Sequence, residues 1–514
     1  MGKEKKTFYL TTAISYPNGE PHIGHAYEAI ITDTIARYHR LFENNVMFLT
    51  GTDEHGIKML QTAKKLNLTA KQLADKNAPL FIKMLKEVNS THDDFIRTTE
   101  ERHKIACIEI WNRMSQNDDI YKGKYAGWYS IRDEAYYEEK ELTKKNGQFY
   151  SPQGTEVTWV EEESYFFRLS KYQDRLLEHY KNNPKFILPE SRKNEVIKFV
   201  QSGLKDLSIS RTTFDWGINV PNDDSHVMYV WVDALTNYLT GVHFPSETYK
   251  KYWPANYHII GKDILRFHAV YWPAFLLSAN IELPLTVFAH GFLFNRGVKM
   301  SKSLGNVVSP GELIEKYGID QLRYFFLREV SMGNDGNYDD ESISRRVNAD
   351  LANDLGNLIQ RSCSMVQKNC DGIIPSISSE FNDDDLNINS NVASLASRVE
   401  ILVETLEFNK ILSEIWEQIS NLNKYFSDQK PWELRKNNNE RMQTVLFITL
   451  NNIRKIAIML LPVIPTSSEK ILNLLNINDA DRTFKSIADE NIDISGNRLG
   501  EVTPIFPKVE ISDE

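Results

Sequence analysis

Thr7-Phe8-Tyr9-Leu10-Thr11-Thr12-Ala13-Ile14 leads through Ser15-Tyr16-Pro17-Asn18-Gly19-Glu20-Pro21 into His22-Ile23-Gly24-His25, and Val46-Met47-Phe48-Leu49-Thr50 closes the stretch. The first run, rich in β-branched and aromatic residues, reads as a buried strand. The second is turn chemistry. A helix follows, with inward positions at Ile23, Tyr27, Ile30, Thr34, Tyr38 and Leu41, and with Pro21 suited to its first turn. Val46 to Thr50 is a second strand, ending in Gly51-Thr52-Asp53-Glu54-His55-Gly56. Strand, helix and strand in so short a span form a parallel βαβ unit, the usual start of a doubly wound sheet.

Outward from that unit, Lys58 to about Asn117 is mostly helical by periodicity. Tyr121 to about Leu169 changes to short strands and turns and reads as an insertion. Val227 to Trp231 and Tyr257 to Ile260 return to strand patterns, and Leu265 to Ala279 is helical. Val287 to Gly291 is a last strand, leading to Lys299-Met300-Ser301-Lys302-Ser303. From Ser342 onward the pattern is helical, broken at Asp371 to Asn391.

The chain has 514 residues, 41% hydrophobic and 25% charged, which suits a soluble protein of roughly three domains. No apolar run approaches the roughly 20 residues that span a bilayer. The start shows neither a secretory signal nor a myristoylation pattern. Cys107, Cys363 and Cys370 are too few and scattered for a disulfide framework, so the expected compartment is the reducing cytoplasm. Cys363 and Cys370 read as packing residues. A net charge of −10 disfavours whole-surface nucleic-acid binding but leaves room for a local basic face.

Two short strings carry the chemistry. His22 and His25, three residues apart at a helix start, place imidazoles beside free backbone N–H groups and the positive end of the helix dipole. Gly24 between them leaves room for a flat ring against the backbone. Lys299 and Lys302, with Met300, Ser301 and Ser303, make a flexible cationic loop able to clamp phosphates. A single five-residue match is weak evidence. Two, both placed where strands of an open α/β sheet end, are much stronger.

These strings resemble the paired ATP-binding signatures of class I aminoacyl-tRNA synthetases. Nearly the whole chain is similar to the methionyl-tRNA synthetase family. Ala13-Ile14-Ser15-Tyr16-Pro17-Asn18-Gly19, Gly51-Thr52-Asp53-Glu54-His55-Gly56, Tyr229-Val230-Trp231-Val232-Asp233-Ala234 and His258-Ile259-Ile260-Gly261-Lys262-Asp263-Ile264 are the matching segments. The resemblance implies ATP-dependent activation of L-methionine and its transfer to tRNA(Met), both initiator and elongator. His22, His25, Lys299 and Lys302 would be catalytic. Gly24, Gly261, Asp263, Met300, Ser301 and Ser303 would join them around ATP, whose Mg2+ would arrive with it. Asp53, paired in the family with the equivalent of Arg211, would hold the substrate ammonium. Ile14, Tyr16, Trp231, Ala234, Tyr238, Ile264, His268 and Trp272 would make the polarizable, largely apolar pocket a thioether needs. Leu235 departs from the proline of some members.

Many members carry zinc knuckles in the insertion, built from C-x-x-C pairs. Here Ser130 and Asp133 stand at the first pair's spacing and Ser151-Pro152-Gln153-Gly154 at the second half, so no structural zinc is expected. The insertion is too short for the editing domain of valine, isoleucine and leucine enzymes. A cysteinyl synthetase would need zinc for its substrate thiolate, and a small nucleotidylyltransferase would lack the helical half. A binding protein that keeps the fold but activates nothing is disfavoured by the intact signatures and Asp53.

The helical half resembles the family's anticodon-binding bundle. Asn353, Asn357 and Arg361, on one helix face, and Trp432 would contact unpaired bases. The expected fold is thus a doubly wound parallel, Rossmann-like α/β catalytic domain with a connective insertion, then an all-α anticodon-binding bundle. The expected boundaries are 1–120 and 221–298 for the two halves of the catalytic domain, with 121–220 the insertion. Residues 299–345 would be the phosphate-clamp loop and linker, and 346–514 the bundle with an extended tail. With no appended C-terminal module in view, a monomer is expected, with no membrane association.

Overall fold

The computed structural model describes residues 5–133, 135–145, 147–299, 307–489 and 491–509. Its centre is a six-stranded, all-parallel sheet in the order Asp94–Arg97, Asn45–Thr52, Thr7–Thr12, Tyr257–Gly261, Val287–His290, Ile187–Leu188. Strand order reverses between Thr7–Thr12 and Tyr257–Gly261, and an open sheet of this kind has its ligand crevice beyond the carboxyl ends at that point. Ile23–Leu41 is the helix of the opening βαβ unit. Its inward positions Ile23, Tyr27, Ile30, Thr34 and Tyr38 are all buried. Pro21 lies outside the helix, because His22 takes the capping position.

Several elements differ from the sequence reading, among them the strands Leu293–Asn295, Val298–Lys299 and Gly336–Tyr338, which follow the strand read as the last. Val230–Thr240 is a helix, and the strand before it is Asp223–Met228. That helix is buried on nearly every side, so its sequence shows no solvent-facing polar face and resembles a buried strand. Asp94–Arg97 is a short edge strand inside the stretch read as helical. Ile187–Leu188, inside the stretch read as the insertion, pairs with Val287 and Phe288 in the central sheet. Two residues are too few to show a period.

The insertion proper is an antiparallel sheet in the order Leu207–Ser208, Thr158–Phe167, Ile120–Ser130, Ala135–Tyr137. Gln173–Asn182 and Glu190–Gln201 then return the chain to the sheet's edge as helices. The carboxyl half packs Asp383–Glu404, Phe408–Gln429, Asn439–Leu460 and Pro465–Leu474 as a bundle, the first of these beginning within the stretch read as a break. No helix among the described residues is long and apolar enough to cross a membrane.

One hydrophobic core runs from Phe8 and the Ile23–Leu41 helix through Ile319–Glu329 into the bundle. Within it lies a buried ion pair. Arg323 Nη2 is 2.8 Å from Asp33 Oδ2, with both side chains fully buried. The guanidinium also donates to the carbonyls of Val463, Val88 and Pro462. Asp33 further accepts from Arg37 Nε and from Thr91 N–H and Oγ1. Burial alone would raise the Asp33 carboxyl, but Arg323 and Arg37 outweigh it and hold it below its ordinary value. Removing one partner of a buried pair strands the other in low dielectric. Arg323→Met is therefore expected to cost about 3–5 kcal/mol, read as a lower denaturation midpoint in urea. An unchanged midpoint would remove the pair's structural role.

Candidate active site

The crevice at the switch point is a cavity of about 630 Å³. Its walls include Ile14, Ser15 and Tyr16 after the first strand, His22, Gly24, His25 and Glu28 on the first helix, and Gly261, Asp263 and Ile264 after the fourth. His290, Gly291 and Phe292 close it from the next strand, and Arg132 reaches it from the insertion.

The two histidines cap the helix that carries them. His22 Nδ1 accepts the Gly24 N–H at 3.0 Å, and His25 Nδ1 accepts the His22 N–H at 3.1 Å. A ring nitrogen that accepts carries no hydrogen, so in each neutral ring the proton resides on Nε2. The cap therefore turns both imidazoles into Nε2–H donors, the form suited to phosphate oxygens. Their ring centroids lie 3.9 Å apart, and His25 sits edge-on to Phe81. A side chain on Gly24 would lie 2.8 Å from His22 Cε1, so the glycine lets the His22 ring fold back over the helix start. At Gly261 a Cβ would lie 2.7 Å from Asp263 Oδ1.

Glu28 and His290 join the two halves of the sheet across this cavity. Glu28 Oε1 accepts the Ala13 N–H at 2.8 Å, and Oε2 lies 2.9 Å from His290 Nε2. His290 Nδ1 is 2.8 Å from the Gly291 carbonyl. Burial opposes a charge on His290, but Glu28 outweighs burial and raises its pKa. Neither residue was singled out from sequence.

Of the ten expected methionine-site residues, Ile14, Tyr16 and Ile264 line the cavity. Tyr16 Oη donates to the His55 carbonyl at 2.8 Å, and Lys58 lies over its ring. Trp231, Tyr238, His268 and Trp272 gather behind Ile264. Tyr238 lies 5.7 Å from His268 and 6.2 Å from Trp272, ring to ring, and Trp231 stacks on Phe267 at 3.8 Å. His268 Nδ1–H donates to the Ile264 carbonyl, so Nε2 accepts from Tyr238 Oη at 2.6 Å. Burial lowers His268 to about 4 and raises Tyr238 well above its usual range, which keeps this pair neutral. Ala234 is buried on the adjoining helix. Asp53, nearly buried, follows the second strand. Arg211 is buried, donates to Ser208 and to the Ser210 carbonyl, and lies over Tyr229, Tyr136 and Tyr129.

Behind Ala234 is a polar cluster the sequence did not suggest. Asp233 Oδ2 lies 2.6 Å from His55 Nδ1 and Oδ1 lies 2.7 Å from His103 Nε2. Cys107 Sγ is 3.3 Å from the same His103 nitrogen. Beside it Glu54, fully buried, takes Arg97 on both oxygens. His55, His103 and Glu54 lie far from Asp233 or Arg97 in sequence, so no local spacing could reveal these pairs.

The expected zinc-knuckle positions hold no metal-binding set of the family's kind. Asp133 Oδ2 accepts from Tyr137, Ser151 and Thr155 hydroxyls, the Asp133 N–H donates to Ser130 Oγ, and Ser130 and Thr155 share a 2.7 Å bond. Hydroxyls and one occupied carboxylate do not fit zinc, which takes thiolate, imidazole or free carboxylate.

In the carboxyl half Asn353 and Asn357 are exposed. The Arg361 guanidinium lies 5.6 Å from the Trp432 ring centre and 5.2 Å from that of Phe426, and all three line a groove of about 280 Å³. Met300, Ser301, Lys302, Ser303 and the Lys299 side chain lie outside the described residues.

Comparison with known proteins agrees with this architecture. The family model described as tRNA synthetases class I (M) matches residues 8–363, and that of the anticodon binding domain of methionyl tRNA ligase matches 374–510. The chain is 56% identical to the methionine–tRNA ligase of Brucella suis biovar 1, over 100% of both chains. It is 54% identical to that of Rhizobium meliloti, over 98% of this chain and 99% of the other. Among solved structures it resembles Mycobacterium tuberculosis methionyl-tRNA synthetase in complex with methionyl-adenylate. The TM-score is 0.95 at 52% identity, over 98% of this chain and 100% of that one.

The Asp233 cluster makes a pH prediction. Burial would raise this carboxyl, yet His55 and His103 hold it at about 2. A depressed carboxyl contributes stability that is complete above its unfolded value of about 3.9 and is lost as pH falls through the folded value. The stability gap between the wild type and Asp233→Asn should narrow as pH falls below about 4. A gap that does not change with pH in urea titrations would refute the charge pairing.

Proposed function

The chain belongs to the methionine–tRNA ligase family of class I aminoacyl-tRNA synthetases, and from that premise we propose that its switch-point cavity activates L-methionine with ATP. A methionine carboxylate oxygen attacks the α-phosphorus in line, the bond to the bridging oxygen breaks, and pyrophosphate leaves. A hydroxyl of the tRNA terminal ribose then attacks the adenylate carbonyl and releases AMP. Both initiator and elongator tRNA(Met) would be charged.

The observation that carries the reading is the cavity wall shared by His22, Gly24 and His25 with Gly261, Asp263 and Ile264. Two Nε2–H donors at a helix N-terminus suit phosphate charge that grows in the transition state. Lys299 and Lys302 would clamp the β- and γ-phosphates, with Met300, Ser301 and Ser303 completing the loop and Mg2+ entering on ATP. Asp53 would hold the ammonium, with Arg211 behind it, and Ile14, Tyr16, Trp231, Ala234, Tyr238, Ile264, His268 and Trp272 would surround the thioether. The neutral Tyr238–His268 pair supports this, since it offers polar atoms without a charge to desolvate. The groove between Arg361 and Trp432 supports an anticodon contact, because an indole and a guanidinium both stack on bases. Asn353 and Asn357 would read base edges nearby.

Amino-acid-dependent ATP–pyrophosphate exchange across the twenty amino acids tests the reading. Exchange with methionine alone is expected; exchange with another amino acid, or with none, overturns it. Lys302→Ala should slow adenylate formation at least tenfold while leaving methionine binding near wild type. Trp432→Ala should spare exchange and cripple tRNA charging, a base stack being worth about 1–3 kcal/mol. Equal loss of both activities would remove its anticodon role.

A further inference from the structure

Arg132 stands apart from every other residue lining the switch-point cavity. Among the described residues it is the one lining side chain with a permanent positive charge, and it makes no hydrogen bond or ion pair with any of them. Two acids line the cavity with it: Glu28 is bound to His290 and to the Ala13 N–H, and Asp263 makes no ion pair with Arg132. Asp133, its immediate neighbour and the obvious partner, is occupied by the hydroxyls of Tyr137, Ser151 and Thr155.

Those same bonds hold the backbone that presents Arg132. The residue lies in the tight turn between the strands Ile120–Ser130 and Ala135–Tyr137. Ser130 Oγ accepts the Asp133 N–H across that turn at 3.1 Å. Ser130 is in turn bound to Thr155, and Thr155 to Ser151. The hub therefore pins both ends of a two-residue tip, Ile131 and Arg132, and does for this turn what a bound metal does for a knuckle. The Asp133 carboxylate oxygen Oδ2, the acceptor that could draw the guanidinium back from the cavity, is already taken by three hydroxyls.

We propose that Arg132 is a phosphate-binding residue for ATP, delivered to the adenylate-forming cavity by the insertion turn and held there by the Asp133 hub. The proposal rests on the reading of that cavity as the site of ATP-dependent activation. A planar guanidinium grips two phosphate oxygens at once, which suits a polyphosphate that must stay fixed while its α-phosphorus is attacked. Asp133 is a positioning residue, acting only through the turn.

The test compares Arg132→Ala, Arg132→Lys and Asp133→Asn with the wild type in two assays: calorimetric binding of ATP alone, and methionine-dependent ATP–pyrophosphate exchange. Arg132→Ala should weaken ATP binding and raise the KM for ATP at least tenfold, with the KM for methionine unchanged. Arg132→Lys should recover part of the loss, since an ammonium keeps the charge and loses the bidentate grip. Asp133→Asn should show a smaller ATP defect at unchanged melting temperature. Wild-type ATP affinity in Arg132→Ala would overturn the proposal. So would normal exchange combined with impaired tRNA charging, which would assign the guanidinium to the tRNA end. Absence of exchange in the wild type would instead sink the activation reading, and the ATP-binding arm would still decide the role of Arg132.

Discussion

The buried pair of Arg323 and Asp33 is the constraint on which the arrangement of the two halves depends. Asp33 sits on the helix whose first turn holds His22 and His25. Arg323 sits on Ile319–Glu329 and donates to the carbonyls of Pro462 and Val463, at the end of a bundle helix. Neither charge is exposed, so neither can exchange its partner for water. Tyr38, on the same first helix, adds a hydrogen bond to the Met459 carbonyl. The helix that presents the two histidines is thus fastened directly to the bundle that carries Trp432 and Arg361. A shared hydrophobic core surrounds the fastening and gives it the low dielectric that makes an unpaired charge costly.

A second theme is that the cavity's polar groups have their protons assigned before any ligand arrives. The helix cap decides the tautomer of His22 and His25. The Ile264 carbonyl decides that of His268 and leaves Nε2 to accept from Tyr238. Glu28 gives His290 a carboxylate partner and at the same time fixes the Ala13 N–H at the end of the first strand. Preorganised donors need no reorientation when charge develops, and that is the main electrostatic advantage of a folded site over water.

A closed set of hydrogen bonds holds the insertion turn. At the spacing where the family resemblance implies C-x-x-C pairs in many members, this chain has hydroxyls converging on one carboxylate. Ser130, Asp133, Ser151 and Thr155 make a closed hydrogen-bond set, with the burial that a small turn needs to stay in one conformation. The same turn carries Arg132 to the cavity.

Local patterns in the sequence determined the βαβ start, the histidine and lysine strings, the insertion and the helical carboxyl half. Each rests on residues close together in the chain, where period, turn chemistry and cap spacing are directly visible. Recognition of Trp231, Tyr238, His268 and Trp272 as one group came from resemblance, and the fold brings those four together. The Val230–Thr240 helix and the Ile187–Leu188 strand escaped because a fully buried helix has no polar face and a two-residue strand has no period. Asp233 with His55 and His103, Glu28 with His290, Arg323 with Asp33, and Arg132 at the cavity were decided only by the tertiary structure. Each depends on side chains or surfaces that are distant in sequence, and a charge or a histidine acquires its role from the partner that burial forces upon it.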